Sequence, residues 1–134
     1  MIFLRNSYIY LIIFLLGGFG YGAIEIAFRG YTHWSMLLTG GSALLALYLI
    51  NITFDNTSIF VKALLGMVAI TLLELSVGIV VNKVFSLHVW DYSNLPFNFM
   101  GQISLPFSFA WYVISLFAFY LLDNIVPLND LQKF

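Results

Sequence analysis

The chain has 134 residues, of which 62% are hydrophobic and only 8% are charged, and its formal net charge is −1. A soluble domain carries roughly 25% charged residues, so a soluble fold could not cover this much apolar surface. The near-neutral charge without a Lys/Arg cluster argues against nucleic-acid binding, and the absence of cysteine excludes disulfides and thiolate chemistry. We therefore predict an all-α, polytopic integral membrane protein.

Four apolar stretches fill the chain, and each has about 20 residues, or about 30 Å of helix, which matches the hydrocarbon core of a bilayer. We predict one transmembrane domain over residues 1–134 with helices at about 8–28, 35–54, 59–81 and 104–122. The short first connection predicts a helical hairpin, and Gly18 and Gly22 form a small-residue step typical of close helix packing. The third connection is long and aromatic, so we expect it to lie in the interface or fold back over the bundle mouth.

Four spans place both termini on one side of the membrane. That side carries Arg5, Lys62 and Lys133 while the other carries Arg29 and Lys83, and this bias favours cytoplasmic termini in the cell membrane. In either orientation the first and third connections share one membrane face, which gathers Arg29, His33, Trp34, Lys83, His88, Trp90 and Asp91.

The two halves of the chain also resemble a weak internal repeat. Each half has a Glu in its first helix, a His and a Trp in its connection, and a Gly near the start of its second helix. Units of two spans each would be parallel repeats, related by an axis along the membrane normal.

Glu25 precedes Arg29 by four residues, which is the favourable order for an ion pair within a helix. In one interpretation the pair only reduces the cost of inserting a charge, which is about 2.5–3.5 kcal/mol at mid-helix. In the other, Arg29 is an anion clamp at the mouth of the bundle and Glu25 orients it.

Glu74 lies deep in the third stretch and has no cation within four residues along the chain. A buried carboxyl group needs a partner from another helix or must be protonated. It could form an interhelical hydrogen bond, carry a proton, or bind a polar headgroup. The partners we consider are Arg29, Gln102, Ser108 and Trp111.

The two histidines, His33 and His88, are expected on the same membrane face, with Asp91 three residues after His88. They could cap or bond within the connections, or act as acid–base groups; a metal site fits no established ligand spacing. We predict no metal and no cofactor. Trp34 and Trp90 suit an interfacial aromatic belt or a cage for an amphiphile or cation. The chain lacks a nucleophile-elbow and a Walker A motif, so nothing in it indicates covalent hydrolysis or ATP hydrolysis.

Several segments between about residues 15 and 123 carry a family resemblance. They are Glu25-Ile-Ala-Phe-Arg-Gly-Tyr-Thr-His-Trp-Ser-Met with Gly40-Gly41, then Glu74 through Gly78 to Asn82, then Val89-Trp-Asp-Tyr-Ser with Pro96, Asn98, Gly101-Gln-Ile, Phe107-Ser108 and Trp111. With these the chain resembles the ABC-transporter type IV, or CmpB-like, small integral membrane proteins, which in turn resemble animal transmembrane protein 229. The resemblance implies a transporter association but no substrate and no catalytic residue, and a transport role would require a partner ATPase.

The sequence thus predicts an internal polar pocket in a small binding or transport subunit for a small or amphiphilic ligand. The candidate ligand-binding or polar-core residues are Glu25, Arg29, His33, Trp34, Glu74, Asn82, His88, Trp90, Asp91, Asn98, Gln102 and Trp111. One alternative is an intramembrane lipid-modifying enzyme, although we favour a non-enzymatic role; another is a structural or assembly subunit of a larger complex. The expected partners are the bilayer, a small-molecule or lipid ligand, and an ATPase or other membrane protein.

Overall fold

The computed structural model describes residues 2–124, with side chains from residue 7 onward. Within these residues four long α-helices follow one another: α1 (Ile2–Arg29), α2 (Trp34–Thr53), α3 (Ile59–Gly78) and α4 (Leu105–Asn124). Each contains a stretch long and apolar enough to cross a membrane, which confirms the predicted all-α fold with four transmembrane helices.

The backbones of α1 and α2 are in close contact, because glycines, which have no side chain, lie where the two helices meet. A Cβ atom at Gly17 would lie 2.6 Å from the carbonyl oxygen of Gly40, and one at Gly41 would lie 2.6 Å from that of Phe14. Gly18 belongs to the same interface, since its Cβ would meet the Leu37 carbonyl oxygen at 2.7 Å. The small-residue step predicted in α1 therefore serves packing within the bundle.

The second helix pair, α3 with α4, is joined by a hydrogen bond of 2.9 Å between the hydroxyls of Thr71 and Ser108, the latter in the first turn of α4. Two apolar clusters among the described residues stabilise the bundle. The larger, in the half away from the long connection, contains Ile9, Ile13, Leu47, Tyr48, Ala63, Ile70, Phe119 and Leu122; the smaller, near the long connection, contains Met36, Val81 and Trp90.

The end of α3 departs from the predicted helix. The chain continues from α3 as a π-helical segment, Ile79–Val84, in which Asn82 is buried and Lys83 is exposed. The amide of Phe85 donates to the carbonyl of Val80 at 3.0 Å, five residues back. Such a widened turn is common at functional sites, and hydrophobic periodicity does not reveal it.

The long connection after residue 84 folds back onto the bundle, one of the two arrangements expected from its aromatic content, and buries Trp90. It also contains a two-stranded antiparallel sheet that the sequence did not indicate, formed by β1 (Asn98–Phe99) and β2 (Ile103–Ser104). The turn between the strands passes through Gly101 with φ +70°, and the Asn98 side-chain oxygen accepts its amide at 3.1 Å. Two-residue strands are too short to show an alternating pattern.

The first and third connections share one end of the bundle, as predicted. Arg29 Nη2, at the end of α1, donates to the carbonyl oxygen of Val89 in the long connection at 3.1 Å. The side chain of Arg5 and all of Lys133, which entered the predicted charge bias, lie outside what the structure describes. Membrane orientation and the internal repeat therefore stay predictions.

Candidate functional site

Two buried carboxyl groups lie at the end of the bundle that carries the long connection. Glu25 is 6% exposed and Glu74 is 4% exposed. Tyr21, one helical turn before Glu25, and Tyr92 of the long connection line one cleft with Glu25, and the Tyr92 hydroxyl donates to Glu74. The two acids therefore belong to one polar cluster, although they come from different hairpins.

Both oxygens of Glu74 accept a hydrogen bond. The Tyr92 hydroxyl donates to Oε1 at 2.7 Å and the Trp111 indole donates to Oε2 at 2.9 Å. Burial and the neighbouring Glu74 carboxylate raise the pKa of Tyr92 above its ordinary value, which keeps the phenol protonated as a donor. Glu74 thus joins α3 to α4 and to the long connection.

Of the four partners considered for Glu74, Trp111 is the one with a hydrogen bond to it in the described part of the chain. Ser108 bonds Thr71 instead, and Gln102 bonds Asn82. Tyr92 was not among the expected partners.

Glu25 is bonded differently. Its Oε2 lies 3.3 Å from Arg29 Nη1 as an ion pair, but within the described residues that buried atom has no partner in hydrogen-bond geometry. The Arg29 side chain is 33% exposed, and its Nη2 donates to the Tyr31 hydroxyl and the Val89 carbonyl, both at 3.1 Å. The pair thus sits at the protein surface on the Arg29 side and in the interior on the Glu25 side.

A cleft of about 340 Å³ opens at this pair. Glu25 and Arg29 line it from α1, and Trp90, Tyr92 and Phe107 supply aromatic walls. The Tyr92 and Phe107 rings stack with centroids 4.6 Å apart and an interplanar angle of 5°. Chemically the cleft combines an acidic oxygen, a guanidinium group and flat apolar surfaces.

A network around Asn82 holds one wall of the cleft in place. Asn82 donates to Gln102 Oε1 at 2.8 Å and accepts the Val89 amide at 2.7 Å, while the Trp90 indole donates to the Gln102 carbonyl at 3.0 Å. Gln102 is only 2% exposed. A Cβ atom at Gly78 would lie 2.6 Å from Gln102 Oε1, so a glycine there leaves room for this network. Asn82 and Gln102 therefore position Trp90.

His33 and Trp34 occupy the start of α2. His33 is the N-cap residue, and its Nδ1 accepts the Ser35 amide at 3.2 Å and contacts the Ser35 hydroxyl at 2.7 Å. Trp34 is exposed and its ring lies 5.2 Å from that of His33. The structure thus gives His33 a capping role.

The other predicted polar residues lie on the outer surface of the long connection. His88 and Asp91 are both exposed. The amide and hydroxyl of Ser93 donate to Asp91, which lowers the pKa of that carboxyl group below its ordinary value. Asn98 bonds the backbone of the connection at Ser93, Leu95 and Gly101. Within residues 2–124, no three His, Asp or Glu side chains form a group that could hold a metal ion.

A second polar cluster, at the opposite end of the bundle, was missed by the sequence analysis. Lys62, 4% exposed, donates to Asn51 Oδ1 at 2.7 Å, and Asn51 donates to Asp123 Oδ1 at 2.9 Å. A lysine within an apolar span requires a polar partner, so the signal was present in the sequence.

These features define a four-span integral membrane protein with a polar cleft beneath a folded connection. The chain belongs to the family described as "Putative ABC-transporter type IV", which it matches over residues 27–131. The match includes Arg29 and all the residues of the Asn82 network, and it begins two residues after Glu25. The family name associates the chain with ABC transport. No solved structure matches the chain.

Proposed function

We propose that this protein is a ligand-binding subunit of a membrane transport system and that the cleft beside Glu25 is its binding site. The observation that carries the proposal is Glu25, which lines the cleft and whose buried Oε2 has the Arg29 ion pair at 3.3 Å but, within the described residues, no partner in hydrogen-bond geometry. A buried acceptor without a hydrogen bond costs up to about 1–3 kcal/mol, of which the Arg29 ion pair offsets a part. A ligand that donates to this oxygen would remove that cost.

Energy for transport would come from a partner. The chain contains no Walker A loop, and its family name points to ABC transport, in which ATP hydrolysis drives the movement of substrate. A partner ATPase or another membrane protein therefore completes the proposed system. We place the protein in the cell membrane with cytoplasmic termini, which opens the cleft to the non-cytoplasmic side.

The geometry favours binding over catalysis. His33 is engaged as a helix cap, and His88 and Asp91 lie on the exposed outer surface of the connection. In the described part of the chain, no hydrogen bond joins these three residues. General acid–base catalysis needs a group held within about 3 Å of the atom that gains or loses a proton.

Native mass spectrometry of the detergent-solubilised protein tests the proposal. The wild-type protein should retain a bound small molecule that the Glu25→Gln variant loses, because the substitution replaces the acidic oxygens with an amide. Asp55→Asn is the matched control, since it makes the same chemical change in an exposed turn at the opposite end of the bundle.

Equal retention by the wild-type and Glu25→Gln proteins would overturn the proposal, as would a wild-type protein that carries no bound molecule. Far-ultraviolet circular dichroism of each variant establishes that the helical bundle is intact before retention is compared.

A further inference from the structure

An apolar groove continues from the cleft along the bundle. Its volume is about 370 Å³, and Tyr21 and Ile24 line both the groove and the cleft. From there it runs between α1 and α4 as far as Ile13 and Leu122. A polar cleft and an apolar groove that share a wall together form an amphipathic site.

The groove stays open because small residues line it. Gly20 borders it, and within the part of the chain that the structure describes a Cβ atom there would have no neighbour within 4 Å. The opposite wall is α4, with Trp111, Ile114 and Phe117. Since α1 is tied to α2 and α4 to α3, the gap between α1 and α4 is left unfilled.

The length of the groove matches one leaflet of a bilayer. From Ile13 to Ile24, α1 rises by about 16 Å, which is about half the thickness of the hydrocarbon core. One acyl chain anchored at the cleft would extend over this distance.

The charges in the cleft specify the headgroup. Among the residues that the structure describes, Oε2 of Glu25 has the Arg29 ion pair at 3.3 Å but no partner in hydrogen-bond geometry, and an ammonium group would supply a donor. The partly exposed guanidinium of Arg29 suits a phosphate, because its positive charge attracts the phosphate and the N–H groups not bonded to Tyr31 and Val89 can donate to its oxygens. A quaternary ammonium has no N–H group and could only contact the aromatic walls.

We propose that the ligand is an aminophospholipid, with its ammonium at Glu25, its phosphate at Arg29 and one acyl chain in the groove between α1 and α4. This inference rests on the proposed function and names the ligand class of the same site.

The test measures lipid binding to the delipidated protein in detergent by native mass spectrometry. The probes are phosphatidylethanolamine, its N-acetylated derivative, phosphatidylcholine, phosphatidylglycerol and water-soluble phosphoethanolamine. Phosphatidylethanolamine should bind at least about tenfold more tightly than the others, because a hydrogen bond to a buried charged group contributes about 1.5–3 kcal/mol.

Two variants and one control distinguish the contribution of the lipid headgroup to binding from that of the acyl chain. Glu25→Gln should weaken phosphatidylethanolamine binding about tenfold and leave phosphatidylglycerol unchanged. Gly20→Leu should fill the groove and weaken every two-chain lipid without disturbing the fold, since its side chain enters open space. Ala23→Leu, on an exposed face of the same helix, is the matched control.

The possible failures are distinguishable. Equal binding of phosphatidylethanolamine and its N-acetylated form would overturn the headgroup assignment, and a Gly20→Leu protein that binds like the wild type would overturn the groove. If a water-soluble molecule depends on Glu25 while phosphatidylethanolamine does not, the proposed function stands and this inference fails. If no bound molecule depends on Glu25, both fail.

Discussion

Glu25 and Glu74 are buried in the same polar cluster, but both oxygens of Glu74 accept hydrogen bonds whereas Oε2 of Glu25 has none in the described structure. The difference separates two roles that the sequence could not separate. Glu74 connects helices, and Glu25 faces the cleft. Glu74, the more isolated acid in the sequence, is thus the better-satisfied acid in the fold.

Removing the Tyr92 hydroxyl should destabilise the protein, because Oε1 of Glu74 would lose its donor while remaining buried. We expect Tyr92→Phe to lower the free energy of unfolding by about 1–3 kcal/mol, measured by circular dichroism during titration with denaturing detergent. Tyr120→Phe, on an exposed part of α4, is the control. If both variants unfold at the same detergent fraction, the hydrogen bond to Glu74 does not contribute to stability.

Alkaline pH provides an independent test of the same contact. Burial and Glu74 raise the pKa of Tyr92 in the folded protein. The stabilisation that the Tyr92 hydroxyl provides is therefore complete below about pH 10, the ordinary pKa of tyrosine, and is lost as the pH rises through the pKa of the folded state. In an absorbance titration of the folded proteins up to about pH 11, wild type and Tyr92→Phe should therefore show the same number of ionising tyrosines. Under denaturing conditions the wild type should show one more ionising tyrosine than Tyr92→Phe. If the folded proteins already differ in this number, Tyr92 does not have a raised pKa.

The fold was predictable from sequence because its main determinant is local. Stretches of about 20 apolar residues give transmembrane helices wherever they occur. The small-residue step at Gly18 also has a local signature in the sequence. The π-helical segment and the two short strands were not predictable, because they depend on where Asn82 and Asn98 find partners in the folded chain.

The candidate site was predictable only in part. An acidic residue within an apolar stretch is recognisable from the sequence alone, so Glu25 and Glu74 could be identified as candidate site residues. Their partners come from other elements, and spacing along one helix contains no information about them. The same limit hid the role of Asn51, whose partners Lys62 and Asp123 lie on two other helices.

The glycines of α1 should differ sharply in their tolerance of substitution. Gly17→Ala places a methyl group 2.6 Å from the Gly40 carbonyl oxygen, so we expect a loss of about 1–3 kcal/mol as the helices separate. Gly20→Ala enters open space and should be neutral or stabilising by up to about 1 kcal/mol through helix propensity. Detergent-induced unfolding of the two variants compares them directly, and equal stabilities would contradict the close α1–α2 contact.

The Asn82 network should control the order of the long connection. Asn82→Ala removes the acceptor for the Val89 amide and the donor to Gln102, while the substituted residue remains on the π-helical segment. We expect faster hydrogen exchange at Val89 and Trp90, with exchange across α1 and α2 unchanged. Lys83→Ala, the exposed neighbour, should leave those amides protected. Unchanged protection in Asn82→Ala would mean that other contacts position the connection.

At the opposite end of the bundle, Asn51 and Lys62 should be energetically coupled. Asn51→Leu leaves the buried Lys62 Nζ without the amide oxygen that accepts from it, at an expected cost of about 1.5–3 kcal/mol. Lys62→Met should cost less, because the unbranched apolar side chain can keep packing on the Phe119 ring, which lies 5.4 Å from Nζ. When residue 62 is Met, Asn51→Leu no longer leaves a buried amine without an acceptor. The double variant should therefore lose less unfolding free energy than the sum of the losses in the two single variants. A double-mutant cycle of unfolding free energies measures this coupling, and simple additivity would show that the 2.7 Å contact contributes nothing of its own.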